Sequence, residues 1–376
     1  MFYILSYKYK PNTAGTNRFL GYLNALDKKG IPTTVVFLHP DRQYHRLAHT
    51  FQHIKVEYMW HRWLPYRNPF TSLTLNRYIQ RFLHRLKEGD TVYSYSVNKL
   101  IHSVQKVKGV HTYAEITEHP KASPGWVHPL LKLSPEEYRE TILKLDNLFV
   151  ISRPLKDYYV EMGRAPESVT IVNMFVDPER FKHIQKKHVG APYIAYCGTA
   201  SISKDGVDDL IKAFSIVSQN HPELELYIIG KTPKKNDRIA NKRLMEELEI
   251  SDKIHFTGVV SADEMPQLLK NASILALARP NNLQAAYGFP TKLGEYLLSG
   301  NPVVVTDVGT ISDYLEDQKS AMIARPDDPE DFAQKAAFLL EHPQQAKEIG
   351  HAGSVVANTQ FNNFIETEKL IHVIGL

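Results

Sequence analysis

A chain of 376 residues outgrows what one hydrophobic core serves and predicts two domains, each large enough for a core of its own. With 43% hydrophobic and 23% charged residues the composition is that of a folded globular protein, and no run reaches the roughly 20 apolar residues that cross a bilayer. A formal charge of +4 is too small to point to nucleic acid. The one cysteine, Cys197 in the apolar run PYIAYCG, forms no internal disulfide and reads as a buried strand residue rather than a reactive thiol.

The opening run MFYILSY has no basic segment before it and no small-residue cleavage site after it, so it reads as a first strand, and a cytoplasmic location follows. A helix is expected from about Thr16 to Lys29, and TTVVFL after Gly30 completes a β-α-β unit. Between Asp41 and Asp90 basic residues outnumber acidic ones and are interleaved with aromatics, Trp60, Trp63 and Tyr66 beside Arg62 and Arg67 among them. Two readings stand open for this stretch: a solvated helical face over an aromatic core, or a surface for anionic lipid headgroups at the inner face of a membrane.

Further strands are expected at TVYSYS, VHTYAEIT and NLFVIS, and then at PYIAYCG, ELYIIG, KIHFTG, SILALA, NPVVVT and AMIARP, several closed by glycine and followed by a helical pattern such as GVDDLIKAFSIVSQ. Strands in alternation with helices are the signature of parallel sheets. The polar segment FKHIQKKHVG, ending at Gly190, has linker composition and divides the chain into domains at residues 1–183 and 190–360. A terminal helix over about 361–376, with Phe364, Leu370, Ile371 and Ile374 at near-helical spacing, is expected to dock back on the first domain. The predicted fold class is α/β, two Rossmann-like doubly wound domains facing across a cleft, with ligands outside the carboxyl ends of the strands.

The most informative stretch is RPNNLQAAYGFPTKLGEYLLSGNPVVVT, from Arg279 to Thr306. Its Gly288-Phe289-Pro290 turn precedes a helix beginning near Thr291, whose free N–H groups at Thr291, Lys292 and Leu293 would favour a diphosphate. Lys292 adds a full positive charge. Glu295, about one helical turn past Thr291, is placed to accept hydrogen bonds from two ribose hydroxyls.

These residues resemble the donor-site motif of glycosyltransferase family 4, in the subgroup form GFPTKLxEYL. The resemblance implies a GT-B enzyme that moves a sugar from a UDP- or GDP-linked donor to a saccharide or lipid-linked acceptor with retention of configuration, in bacterial-type surface polysaccharide or glycolipid assembly. The family's first glutamate falls at Tyr287 here and is absent. Asn281, Asn282 and Gln284 stand nearby to meet sugar hydroxyls instead. YCGTASISKDGVDDLIKAF resembles the family's phosphate loop, with Lys204 at the lysine position and Thr199 where an arginine is usual. In the same way Gly258, Val259 and Val260 match a segment whose backbone meets the nucleotide base.

In the first half PNTAGTNRFLGYLNAL resembles a glycine-bearing loop near the donor phosphate, with Gly15 for close backbone approach, while Arg18 is open between cleft and solvent. YAEITEHPK ends a strand with Glu115, Glu118 and His119. The resemblance implies that His119 contacts the transferred sugar and that Glu118 either serves as the acceptor's base or orients His119. Asn173, Val176, Asp177 and Phe181 read as hinge architecture. No metal-ligand spacing and no Asp-x-Asp motif is present, so neither metal nor other cofactor is expected, and Lys204, Lys292 and helix dipoles carry the charge on the leaving group. Two rivals remain: a nucleotide-sugar epimerase of the same architecture, and a catalytically silent sugar-nucleotide-binding relative, the latter suggested by Thr199 and Tyr287 at expected charged positions.

Overall fold

A computed structural model describes residues 1–7, 9, 14–38, 47, 50–58, 70–122, 131–187 and 190–376. Two units emerge: Met1–Asn173 with Asn363–Leu376, and Met174–Asn362. The division falls ten residues before the expected one, because the segment after Asn173 packs on the second unit. Val176 donates its N–H to the Phe361 carbonyl, and its methyls lie where a Cβ on Gly294 would stand, 2.9 Å away. The polar stretch expected as linker is held too: Lys186 Nζ reaches the Ala272 carbonyl and the Lys187 N–H reaches Asn271 Oδ1.

The first unit carries a seven-stranded sheet in the order β3-β2-β1-β4-β5-β6-β7, every pairing parallel: β1 Phe2–Ser6, β2 Thr33–Phe37, β3 Ile54–Tyr58, β4 Thr91–Ser94, β5 His111–Ile116, β6 Asn147–Val150 and β7 Val169–Ile171. The strand order turns at β1 and β4. β1 and β2 are buried along their whole length, as continuous apolar runs demand when helices cover both faces.

β3 departs from the expectation of a helical face across the basic stretch. Its sequence IKVEY alternates, with Ile54 and Val56 buried while Lys55 is exposed and Glu57 pairs with both Lys55 and Arg85. Helix Phe70–Leu83 accounts for the later part, burying Leu75, Ile79 and Phe82 at spacings of four and three. Tyr58 stacks on Phe37 and Phe82 meets Tyr3 edge-on, so these aromatics serve the core. Trp60, Arg62, Trp63 and Arg67 lie outside the described residues.

The terminal helix Asn363–Ile374 packs on helix Ala14–Lys28 of the same unit. Glu366, fully buried on it, accepts the Asn173 N–H at 2.7 Å, and Asn363 Nδ2 reaches the Gly21 carbonyl.

The second unit repeats the architecture in six parallel strands, β10-β9-β8-β11-β12-β13: β8 Tyr193–Cys197, β9 Glu225–Ile229, β10 Ile254–Gly258, β11 Ile274–Leu277, β12 Val303–Thr306 and β13 Met322–Ala324. Here the order turns between β8 and β11, and the loops that leave their carboxyl ends are the two stretches that carry the family resemblance. Among the described residues no helix is long and apolar enough to cross a membrane.

Candidate active site

The floor of the second unit's site is set by two glycines. Gly206, at φ +61, joins helix Ile202–Asp205 to helix Val207–Asn220, and a Cβ there would stand 1.8 Å from the Ala278 carbonyl oxygen. Only glycine lets the loop after β8 lie against the end of β11. Gly198 ends β8, and a Cβ on it would stand 2.6 Å from both Lys292 Nζ and Tyr196 Oη.

Around that gap a buried charge cluster forms. Lys292 Nζ lies 2.7 Å from Asp205 Oδ2 and 3.1 Å from Tyr196 Oη, and 4.6 Å from the centre of the Tyr196 ring. Tyr196 Oη also stands 2.7 Å from Asp205 Oδ2. Burial pushes the Asp205 carboxyl up, but the Lys292 charge and its hydrogen bond outweigh that and hold it below the usual carboxylate range. Burial lowers the Lys292 ammonium against the pull of Asp205. Arg279, also buried, adds positive charge to this group, and its Nε donates to the Lys204 carbonyl at 3.4 Å.

Helix Thr291–Leu298 starts where expected, after Pro290, and no side chain caps it. Of the three N–H groups predicted to be free, that of Leu293 donates to the Pro290 carbonyl, so the anion-facing end is Thr291 and Lys292. Lys204 is exposed on its short helix, and Thr199 is exposed as well. Phe289 is buried against Tyr314 and Phe361, so its side chain anchors the turn to the core.

Asn282 caps helix Leu283–Tyr287 through the Ala285 N–H and ties it to the Ser203 carbonyl, so its amide holds the loop's shape. Gly288 ends that helix with a Cβ position 2.7 Å from the Gln284 carbonyl, which admits no side chain. Gly258, at φ +71, closes β10 and its carbonyl accepts the Gly230 N–H. Val259 beside it is 61% exposed, and Val260 is half-buried. Cys197 is half-buried, its thiol pushed up to about 12 by burial and by Glu295, which keeps it protonated and inert.

Glu295 is not alone. Arg180 Nη1 forms an ion pair with its Oε1. Sequence reasoning named the neighbours Asp177 and Phe181 but not Arg180, and it passed over Asp205 and Tyr196. The Asp-Gly pair before a strong helix was the available signal for Asp205, whereas Arg180 stands 115 residues from its partner and no spacing rule reaches that far.

In the first unit Gly15 lies within helix Ala14–Lys28 rather than in a loop before it, and its carbonyl accepts the Tyr95 hydroxyl. Arg18 is buried inside the first unit. Its Nε donates to Glu115 Oε1 at 2.8 Å, and its other nitrogens reach Tyr22 and the carbonyls of Val172 and Asn173. Burial works against the guanidinium, yet Glu115 more than compensates and its proton is held more tightly than usual. Tyr93 donates to the other Glu115 oxygen at 2.8 Å.

His119 is buried, its ring edge-on to Tyr158 at 4.5 Å, and its Nδ1 accepts the Lys121 N–H. That acceptor role puts the proton of the neutral ring on Nε2. Burial, with help from Lys121, lowers the imidazole below its ordinary value and keeps it neutral. Glu118 beside it is half-buried. Among the described residues no group of three His, Cys, Asp or Glu side chains is placed to hold a metal ion.

Residues 191–342 match the family model described as glycosyl transferases, group 1. That span contains the whole donor-side set from Thr199 to Glu295, whereas Gly15, Glu118, His119 and Arg180 lie outside it. The chain is 25% identical over 207 residues to the MMP alpha-(1->4)-mannosyltransferase of Mycolicibacterium hassiacum, covering 55% of this chain and 48% of that protein. It is 24% identical over 254 residues to the amylovoran biosynthesis glycosyltransferase AmsK of Erwinia amylovora, covering 65% and 60%. The chain thus spans about half to three-fifths of the length of these relatives. Among solved structures it is similar to HepE of Anabaena in complex with UDP and glucose, with a TM-score of 0.75, 14% identity and coverage of 100% and 99%. A lipopolysaccharide outer core galactosyltransferase, WaaB in its apo form, superposes with a TM-score of 0.70 at 15% identity, over 99% and 98%. These likenesses show the fold: two Rossmann-like α/β domains of the GT-B kind.

Proposed function

We propose that the chain is a glycosyltransferase that transfers a sugar from a nucleotide-sugar donor to a saccharide or lipid-linked acceptor, in polysaccharide or glycolipid assembly. One observation carries the reading. At the switch point of the second unit's sheet, an uncapped helix end with Lys292 stands one turn before Glu295, which is the arrangement a diphosphate followed by a ribose requires. Its likeness to the group 1 family model over this same span supports it. UDP is the nucleotide proposed first, since HepE was crystallised with it, and GDP is the second arm.

In the proposed reaction the bond from the sugar's anomeric carbon to the diphosphate breaks and a bond to the acceptor oxygen forms on the same face. The departing phosphate oxygen takes the acceptor proton, which gives retention and asks no nucleophile of Tyr287. Lys292, Lys204, Arg279 and the helix end meet the growing charge, so no divalent cation is needed. Activity abolished by EDTA and restored by magnesium would overturn that part. His119, neutral with its Nε2–H, is proposed to hydrogen-bond the transferred sugar, with Glu118 beside it serving the acceptor.

A thermal-shift screen with UDP, GDP and ADP, followed by release of nucleoside diphosphate from their sugars, tests the reading. No shift with any nucleotide would sink it. Binding without release would favour the silent relative, for which Thr199 and Tyr287 speak. For a lipid-linked acceptor we propose contact between residues 41–90 and an anionic membrane, checked by co-sedimentation with neutral and anionic vesicles using the variant Trp60→Ala, Arg62→Ala, Trp63→Ala, Arg67→Ala. Equal sedimentation of parent and variant would return the stretch to a solvated basic face.

A further inference from the structure

Arg180 closes the short turn Pro178–Arg180, which Asp177 caps through the Glu179 N–H. The turn belongs to the segment that enters the second unit after Asn173, and Val176 within it presses on Gly294, one residue before Glu295. Arg180 is thereby delivered to Glu295 by packing that does not depend on the ion pair itself. Its Nη1 takes Glu295 Oε1, and its Nη2 reaches the Ala262 carbonyl at 3.4 Å, so the two arms of the guanidinium are braced in different directions. Oε2 of Glu295 accepts from no described residue. Neither side chain is fully buried, at 28% exposed for Arg180 and 15% for Glu295, so the pair lies at the surface of the site rather than under it.

We propose that Arg180 is a positioning residue for nucleotide recognition: it fixes one oxygen of Glu295 so that the other is presented to the ribose hydroxyls. A carboxylate on a flexible glutamate stem must lose rotamer freedom before it can accept from a ribose, and a planar guanidinium already in place removes that cost from the binding step. With Oε1 engaged, both ribose donors fall to the lone pairs of Oε2, which suits the two adjacent hydroxyls of a ribose and leaves a deoxyribose one bond short. The assignment rests on the donor-site reading above and adds to it the residue that sets ribose selectivity.

The experiment is calorimetry on the full chain with UDP, 2′-deoxy-UDP and 3′-deoxy-UDP, for the parent, Arg180→Met, Arg180→Lys and the control Lys182→Met. Lys182 is an exposed cation two residues on that pairs with Glu179, so its loss changes charge equally without touching Glu295. The parent and the control should prefer UDP over the deoxy forms by about tenfold, one charge-assisted hydrogen bond's worth. Arg180→Met should weaken UDP by up to about a hundredfold and each deoxy form by about tenfold, since two ribose bonds are lost from the first and one from the others, so the preference collapses towards unity; Arg180→Lys should fall between. A uniform loss across all three nucleotides would make Arg180 a general electrostatic contributor and overturn the proposal. Tighter UDP binding by Arg180→Met would mean that Arg180 competes with the ribose, and would overturn it in the opposite sense. If the parent binds UDP without ribose preference, this inference fails alone; if the parent binds no UDP at all, the UDP reading of the donor site fails and the inference falls with it.

Discussion

Lys292 and Asp205 stand 2.7 Å apart although 87 residues separate them in the chain, and the lysine's position in the first turn of its helix puts this pair where a diphosphate is proposed to bind. Two opposite charges removed together from water tolerate each other, but either one alone does not. Lys292→Met should therefore destabilise the protein by about 3–5 kcal/mol, and adding Asp205→Asn should restore most of that while turnover stays lost. Denaturant unfolding and nucleoside diphosphate release measured side by side check it. Recovery of turnover in the double variant would deny Lys292 any part in the reaction.

If Glu295 holds the ribose as proposed, Glu295→Ala should cost roughly 1.5–3 kcal/mol, a loss of about ten- to a hundredfold in nucleotide affinity. Calorimetry with UDP reads it directly. An unchanged dissociation constant would remove the ribose role.

These two clusters also mark how far the sequence could be read. Continuous apolar runs such as VVVT at β12 announce strands because a sheet covered on both faces permits little else, and the helix after Pro290 follows from its turn residues. β3 was hidden because Lys55 and Glu57 alternate with Ile54 and Val56 inside a strongly basic stretch, so charge obscured a period of two. Arg18 could not be placed because its partner Glu115 lies 97 residues away on another element, and nothing local tells a buried arginine from a solvated one. Residue types at the site were legible; the partners that occupy them were not.

Acid should weaken the first unit. His102 and His119 are both buried, His102 donating from Nδ1 to Thr141, whose own hydroxyl donates to the Glu137 carbonyl. Burial holds both imidazoles below the ordinary histidine value of 6.5, so between that value and the lowered one the unfolded chain binds more protons and stability rises with pH. Their contribution is present above 6.5 and is lost as pH falls through the lowered values. The melting temperature should drop between about pH 7.5 and about pH 5.5, and His102→Gln should flatten that slope. A steeper slope in the variant would contradict the assignment.

Two glycines should separate architecture from chemistry. Gly206→Ala drives a Cβ to 1.8 Å from the Ala278 carbonyl oxygen, where backbone must move, and should cost at least about 3 kcal/mol. Gly198→Ala meets the tip of Lys292 and the Tyr196 hydroxyl instead, so a side chain yields first. It should cost about 1–2 kcal/mol in stability yet lower turnover by about tenfold. Chemical denaturation set beside initial rates distinguishes them, and full activity in Gly198→Ala would show that Lys292 need not stand where it does.

The second unit is one uninterrupted length of chain, Met174–Asn362, whereas the first is closed by Asn363–Leu376. On the ribosome this reverses the usual order, for the unit that emerges first receives its packing helix last. Until Glu366 is made, the Asn173 N–H has no carboxylate to receive it, and helix Ala14–Lys28 lacks the helix that packs on it. A stop codon before Asn363 would therefore spare a folded second unit and leave the amino-terminal unit open, although every residue of its sheet had been translated.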